Sequence, residues 1–91
     1  TSPETRSTSN LAKPQTRAVT ITADGTLYLD AFPVSVEQLG SLLGQYKAAN
    51  PNLPVVLKGD ADAPYERVLE VLQTVKKLDI AEVGFVTKRA P

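Results

Sequence analysis

The 91-residue chain contains no cysteine and no histidine. Thiol nucleophiles, imidazole bases and every Cys/His zinc constellation are therefore excluded. It also lacks a charge excess of either sign, with 10 Lys plus Arg against 10 Asp plus Glu. Nucleic-acid binding, which needs a basic footprint against the phosphate backbone, is not expected. Long hydrophobic runs are missing too: no stretch approaches the roughly 18 to 20 apolar residues that span a bilayer. The first residue is Thr rather than Met, and the chain reads as a piece of a longer protein. Its length suits one modest core and leaves no room for a second domain.

What the chain does contain is unevenly distributed. Its first residues, TSPETRSTSNLAKPQ, are rich in Ser, Thr and Pro and carry one large apolar side chain, Leu11. Such a segment cannot bury enough surface to offset the entropy of ordering it. Residues 1–17 are thus expected to be a flexible linker to a domain at residues 18–91. The alternative is that Asn10 to Ala12 docks as an added strand anchored by Leu11.

From Ala18 the pattern becomes alternating, with Val19 and Ile21, then Leu27 and Leu29, marking two half-buried strands. A two-residue Asp24-Gly25 turn would send their apolar rows to opposite faces. A three-residue loop, Ala23-Asp24-Gly25, pairs Ile21 with Leu27 and puts Gly25 in the left-handed position such loops require. A helix follows, with Ser35 as N-cap, Gln38 as its capping-box partner and Val34 with Leu39 as a hydrophobic staple. Its stripe is Val36, Leu39, Leu43 and Tyr46, and Asn50-Pro51 stops it. Gly40 and Gly44 lie on a neighbouring line and suggest close backbone packing. The apolar run Pro54 to Leu57 reads as a central strand, and Tyr65, Val68, Leu69, Leu72, Val75 and Leu78 as one face of a second helix. Ile80 to Lys88 reads as a last strand.

The expected fold is therefore α+β, in the order β-β-α-β-α-β: a mixed four-stranded sheet with both helices on one face. The β-α-β crossovers should make strands two, three and four parallel while the first opposes them. Thr20, Thr22, Tyr28 and Thr87 should line the uncovered face.

The one constellation with a chemical look is the pair Asp60 and Asp62 in KGDADAPYERVLEVL. A D-x-D spacing can hold a hard cation, but the third ligand an EF-hand loop needs is replaced here by Pro64 and Tyr65. Paired carboxylates acting as acid and base need a cleft that separates their pKa values. The structural reading is simpler: Asp62 caps the second helix and Asp60 accepts backbone N–H bonds in the strand-to-helix loop. No catalytic residue, metal or cofactor is expected. Tyr65 is either core or a hydroxyl partner for Asp60.

The stretch VVLKGDADAPYERVLEVLQTVKKLDIAEVGFVTKR resembles the C-terminal signature of the ExbD/TolR biopolymer-transport family. That signature has an apolar strand, a basic residue, a small residue, Asp, four residues, Tyr, an amphipathic helix and a final Val-Gly-Leu/Phe-Val-Thr type strand. The matching positions are Lys58, Gly59, Asp60, Tyr65, Val83, Gly84, Val86 and Thr87, and the likeness extends over Ala18 to Lys88. One departure is Leu78-Asp79, where the family usually has Ala-Gly; Asp reaches the left-handed conformation less readily.

The resemblance implies the periplasmic domain of a protein anchored in the bacterial inner membrane by one transmembrane helix. That helix would engage an ExbB-type proton-channel subunit, and the proton motive force would be passed to a TonB-type partner that the domain binds. The domain would be non-catalytic and homodimeric. Thr20, Thr22, Tyr28, Asp60 and Tyr65 are its candidate partner-binding residues, since an open sheet can add an extended peptide. The alternative is a TolR-like subunit of the Tol system that binds peptidoglycan.

Overall fold

A computed structural model describes residues 15–89. The element order is β1 (Arg17–Ile21), β2 (Leu27–Leu29), β3 (Phe32–Val34), α1 (Val36–Ala49), β4 (Pro54–Asp60), α2 (Tyr65–Lys77) and β5 (Glu82–Lys88). Residues 1–14, most of the expected linker with its Leu11 anchor, lie outside the described residues.

The sheet has five strands in the order β3-β2-β1-β4-β5, not four. The additional strand, β3, follows from a tight reversal at Asp30, which takes the left-handed conformation (φ 55) and turns the chain back along β2. Pro33 cannot donate a ladder hydrogen bond, and it sits in the edge strand, where prolines are tolerated. Inserting β3 also corrects the strand directions. β1 runs parallel to β4, and β4 to β5, while β2 is antiparallel to both its neighbours. The opposing strand is therefore the second, because the crossover through α1 starts from β3.

The β1–β2 hairpin has the expected register, with Ile21 opposite Leu27 and Val19 opposite Leu29. Thr22 N–H donates to Thr26 O at 3.0 Å, closing the three-residue loop, and Gly25 has φ 87. The capping box of α1 is complete: Gln38 N–H donates to Ser35 Oγ at 3.0 Å and Ser35 N–H to Gln38 Oε1 at 2.8 Å.

Both helices cover one face of the sheet. The core joins Val19, Ile21, Leu27, Leu29, Val55 and Leu57 of the sheet to Leu39 and Leu43 of α1 and to Val71 and Val75 of α2. The core-facing line of α2 is thus rotated from the expected stripe. Val71 is fully buried, whereas Tyr65 is 73% exposed and Leu72 38%. Val68 and Leu78 pack against the core beside Val71 and Val75. A Cβ at Gly40 would stand 3.7 Å from Thr74, and one at Gly44 3.7 Å from Leu78, so this line of α1 does face the second helix.

Two ends of α2 differ in how they are closed. Asp62 is not its N-cap: Pro64 occupies that position with no side-chain cap, and the Asp62 carboxylate lies 3.5 Å from Arg89 instead. Pro64 accounts for this, because it restricts Ala63 to extended backbone and delays the helix to Tyr65. At the other end Asp79 takes φ 56, with Ile80 N–H donating to Val75 O and Asp79 N–H to Lys76 O. That pair of bonds is a Schellman closure, made here with Asp where Gly is usual. No helix among the described residues is long and apolar enough to cross a membrane.

Candidate functional site

Strand alternation sends every second residue of β1, β4 and β5 away from the helices. Register then places these residues in rows across the open face. Tyr28, Thr20, Lys58 and Val86 form one row, and Asp60 with Lys88 forms the next. Over the β1, β4 and β5 part of this face lies an open depression of about 470 Å³, lined by Thr20, Thr22, Lys58, Asp60, Val86 and Lys88. It sits at the carboxyl ends of three parallel strands, the position at which ligands settle on open sheets.

Of the five residues singled out from the sequence, three therefore meet in the depression: Thr20, Thr22 and Asp60. Tyr28 is one strand further along the same row, beside Thr20. Tyr65 is apart from them, at the start of α2 beside Asp24 and Gly25. It is neither core nor a partner of Asp60. Thr87 is also absent from the open face. It is opposite Gly59, whose neighbours Leu57 and Val55 point to the core, so Thr87 faces the helix side.

Asp60 performs the loop role expected of it. Its Oδ1 accepts the Asp62 N–H at 2.8 Å and its carbonyl the Ala63 N–H at 2.9 Å. Two cations were not recognised as site residues from the sequence, Lys58 and Lys88. Neither takes part in an ion pair among the described residues. The signal for Lys58 was present, since a lysine inside the strand PVVLKGD has to point to an uncovered face. Lys88 needed the register of β5.

Chemically, the depression offers the ammonium groups of Lys58 and Lys88, the Thr20 hydroxyl and an apolar floor, with the Asp60 carboxylate at its end. The Thr22 hydroxyl is already donated to Asp24. The donors suit peptide carbonyls and carboxylates held away from Asp60. Among the described residues no three acidic side chains gather as a metal-binding group. A second feature adjoins it. β5 closes one end of the sheet, and all seven of its residues are exposed. Gly59 lies directly beneath Phe85, with a ring atom 3.5 Å from where a Cβ would be.

Fold and site together define a small α+β module with one helical face, one open face and an exposed strand, β5, at the sheet edge among the described residues. The chain belongs to the ExbD/TolR family: the description "Biopolymer transport protein ExbD/TolR" matches residues 1–90. It is also similar to a Synechocystis sp. protein that carries the name biopolymer transport protein ExbD, at 35% identity over 63 residues. That match covers 69% of this chain but 23% of the relative, so the chain spans about a quarter of that protein's length.

Proposed function

We propose that the chain is a non-catalytic interaction domain of an ExbD-like subunit in an energy-transducing complex driven by the proton motive force. It works in the periplasm, on a protein anchored in the inner membrane, and binds an extended segment of a TonB-type partner. In this reading an ExbB-type channel subunit is engaged through a transmembrane helix outside the 91 residues. The observation that carries the reading is the open-face depression with Lys58 and Lys88, which make no ion pair among the described residues, adjoining the exposed β5 edge. Such a surface can hold an extended peptide through its carbonyls and acidic side chains. Dimerisation belongs to the same reading, because an exposed edge strand is a template for further pairing.

Peptidoglycan binding of the TolR kind is the second reading. The same ammonium and hydroxyl groups suit the carboxylates and sugar hydroxyls of a muropeptide.

Titrating the isotope-labelled chain with linker peptides from a TonB-type partner tests the first reading. Amide shifts should centre on Thr20, Thr22, Lys58, Val86 and Lys88, and Lys58→Glu should weaken them. Absence of shifts at millimolar peptide, with the chain retained on isolated sacculi, would favour the second.

A further inference from the structure

We propose that the domain carries tension along β1, between its tether and its ligand site, with the sheet loaded in shear and the Arg17–Asp30–Tyr46 clasp holding the point of entry. This rests on the reading above, in which the membrane anchor lies outside the 91 residues and the chain ahead of Arg17 is the tether.

Topology sets the two ends of the load path. Load from the tether enters at Arg17, the first residue of β1. It leaves where a ligand is held, in the depression lined by Thr20 and Thr22 from the end of β1, Lys58 and Asp60 from the end of β4, and Val86 and Lys88 from the end of β5. These three strands run parallel, so entry and exit lie at opposite ends of the same strands. The line between them follows the strand axis, not the width of the sheet. A ligand seated there also grips β4 and β5, the strands against which β1 is pulled.

Direction then decides resistance. Ladder hydrogen bonds run across the strands. A pull along β1 strains the whole β1–β4 ladder at once, from Arg17 opposite Val55 to Ile21 opposite Gly59, together with the β1–β2 ladder on its other side. A pull across the strands opens the same bonds one after another from one end. Because β1 lies in the middle of the sheet, it leaves only when both ladders break. Its side chains add to this: Val19 and Ile21 are fully buried, and sliding β1 drags them through a close-packed core.

The entry point is fastened sideways. Arg17 lies on the helix side of β1, where its guanidinium stacks on Tyr46 of α1 and pairs with Asp30, just past β2, at 2.9 Å. Asp30 Oδ1 also accepts the Ala18 N–H at 3.1 Å. A tether that swings off the strand axis thus strains these side-chain bonds before it reaches the ladders. The clasp turns an oblique pull into one along β1.

The test is single-molecule force spectroscopy on the 91-residue chain, which has no native cysteine to compete with an added thiol handle. One handle is attached at the N-terminus. The second is placed either at Lys58→Cys, which loads the β1–β4 ladder in shear, or at Asn52→Cys, in the exposed turn leading into β4 at the same end of the sheet as Arg17, which peels that ladder. Forced unfolding follows the unfolding rate along the pulled direction, and the Lys58 geometry should need at least about twice the force of the Asn52 geometry. Arg17→Ala should lower the Asn52 force by a larger fraction than the Lys58 force, whereas a loss of stability alone would lower both alike. Equal forces in the two geometries would overturn the load path. Equal fractional losses in Arg17→Ala would overturn the role of the clasp. Neither result depends on a bound peptide, so the peptide titration decides the underlying reading separately.

Discussion

The Arg17 guanidinium carbon lies 3.9 Å from the centroid of the Tyr46 ring. The same side chain donates from Nη1 to Asp30 Oδ2 at 2.9 Å, while Asp30 Oδ1 accepts the Ala18 N–H at 3.1 Å. The start of β1, the end of β2 and the last turns of α1 are thereby clasped together. Arg17→Lys keeps the charge but loses the planar stack. It should lower stability by about 0.5–1 kcal/mol, read as a shift in the urea midpoint at unchanged slope.

The two kinds of glycine should respond oppositely to a methyl group. At Gly40 the nearest atom to a new Cβ is 3.7 Å away, an ordinary contact in a helix interior. Gly40→Ala should stabilise by about 0.4–1 kcal/mol. Gly25 has φ +87, a Cβ added there would stand 3.3 Å from Pro64, and its carbonyl accepts the Arg67 Nε–H at 3.0 Å. Gly25→Ala should destabilise by about 1–2 kcal/mol, and thermal melts of both variants check the pair.

Along α2, adjacent residues should differ sharply. Val71 is fully buried and Leu72 is 38% exposed. Val71→Ala should cost about 2 kcal/mol and Leu72→Ala less than about 1 kcal/mol. Reversed costs would mean that the stripe through Leu72 is the core line.

The β1–β2 loop carries a pH dependence. The Thr22 hydroxyl, and then the Thr26 N–H, hold the Asp24 carboxyl below its usual 3.8. A carboxyl lowered by folding contributes stability above its unfolded value and loses it as pH falls through its folded one. The melting temperature should therefore decline below about pH 4, and Asp24→Asn should remove part of that slope. An identical slope in the variant would assign the acid sensitivity elsewhere.

Much of the fold was legible because its signals are local. The hairpin register followed from where Gly25 falls, the start of α1 from Ser35 and Gln38, and the end of α2 from the left-handed tolerance of Asp79. Errors arose where one residue's conformation changed the partners of distant ones. Asp30 in the left-handed region created β3 and so altered which strand opposes the others. Pro64 took the cap position from Asp62. The stripe on α2 was displaced by one line because Leu72 and Val71 are equally apolar, and only contact with the sheet distinguishes them.

By itself, the sequence determined the elements other than β3, the caps of α1, the β1–β2 loop and the family signature from Lys58 to Thr87, since each depends on residues a few positions apart. Tertiary structure decided the rest. Strand order and register bring Thr20, Lys58, Val86 and Lys88 together from three strands and leave β5 uncovered at the edge. Those pairings join residues tens of positions apart through backbone hydrogen bonds, which every residue type except proline can make, so no local pattern encodes them.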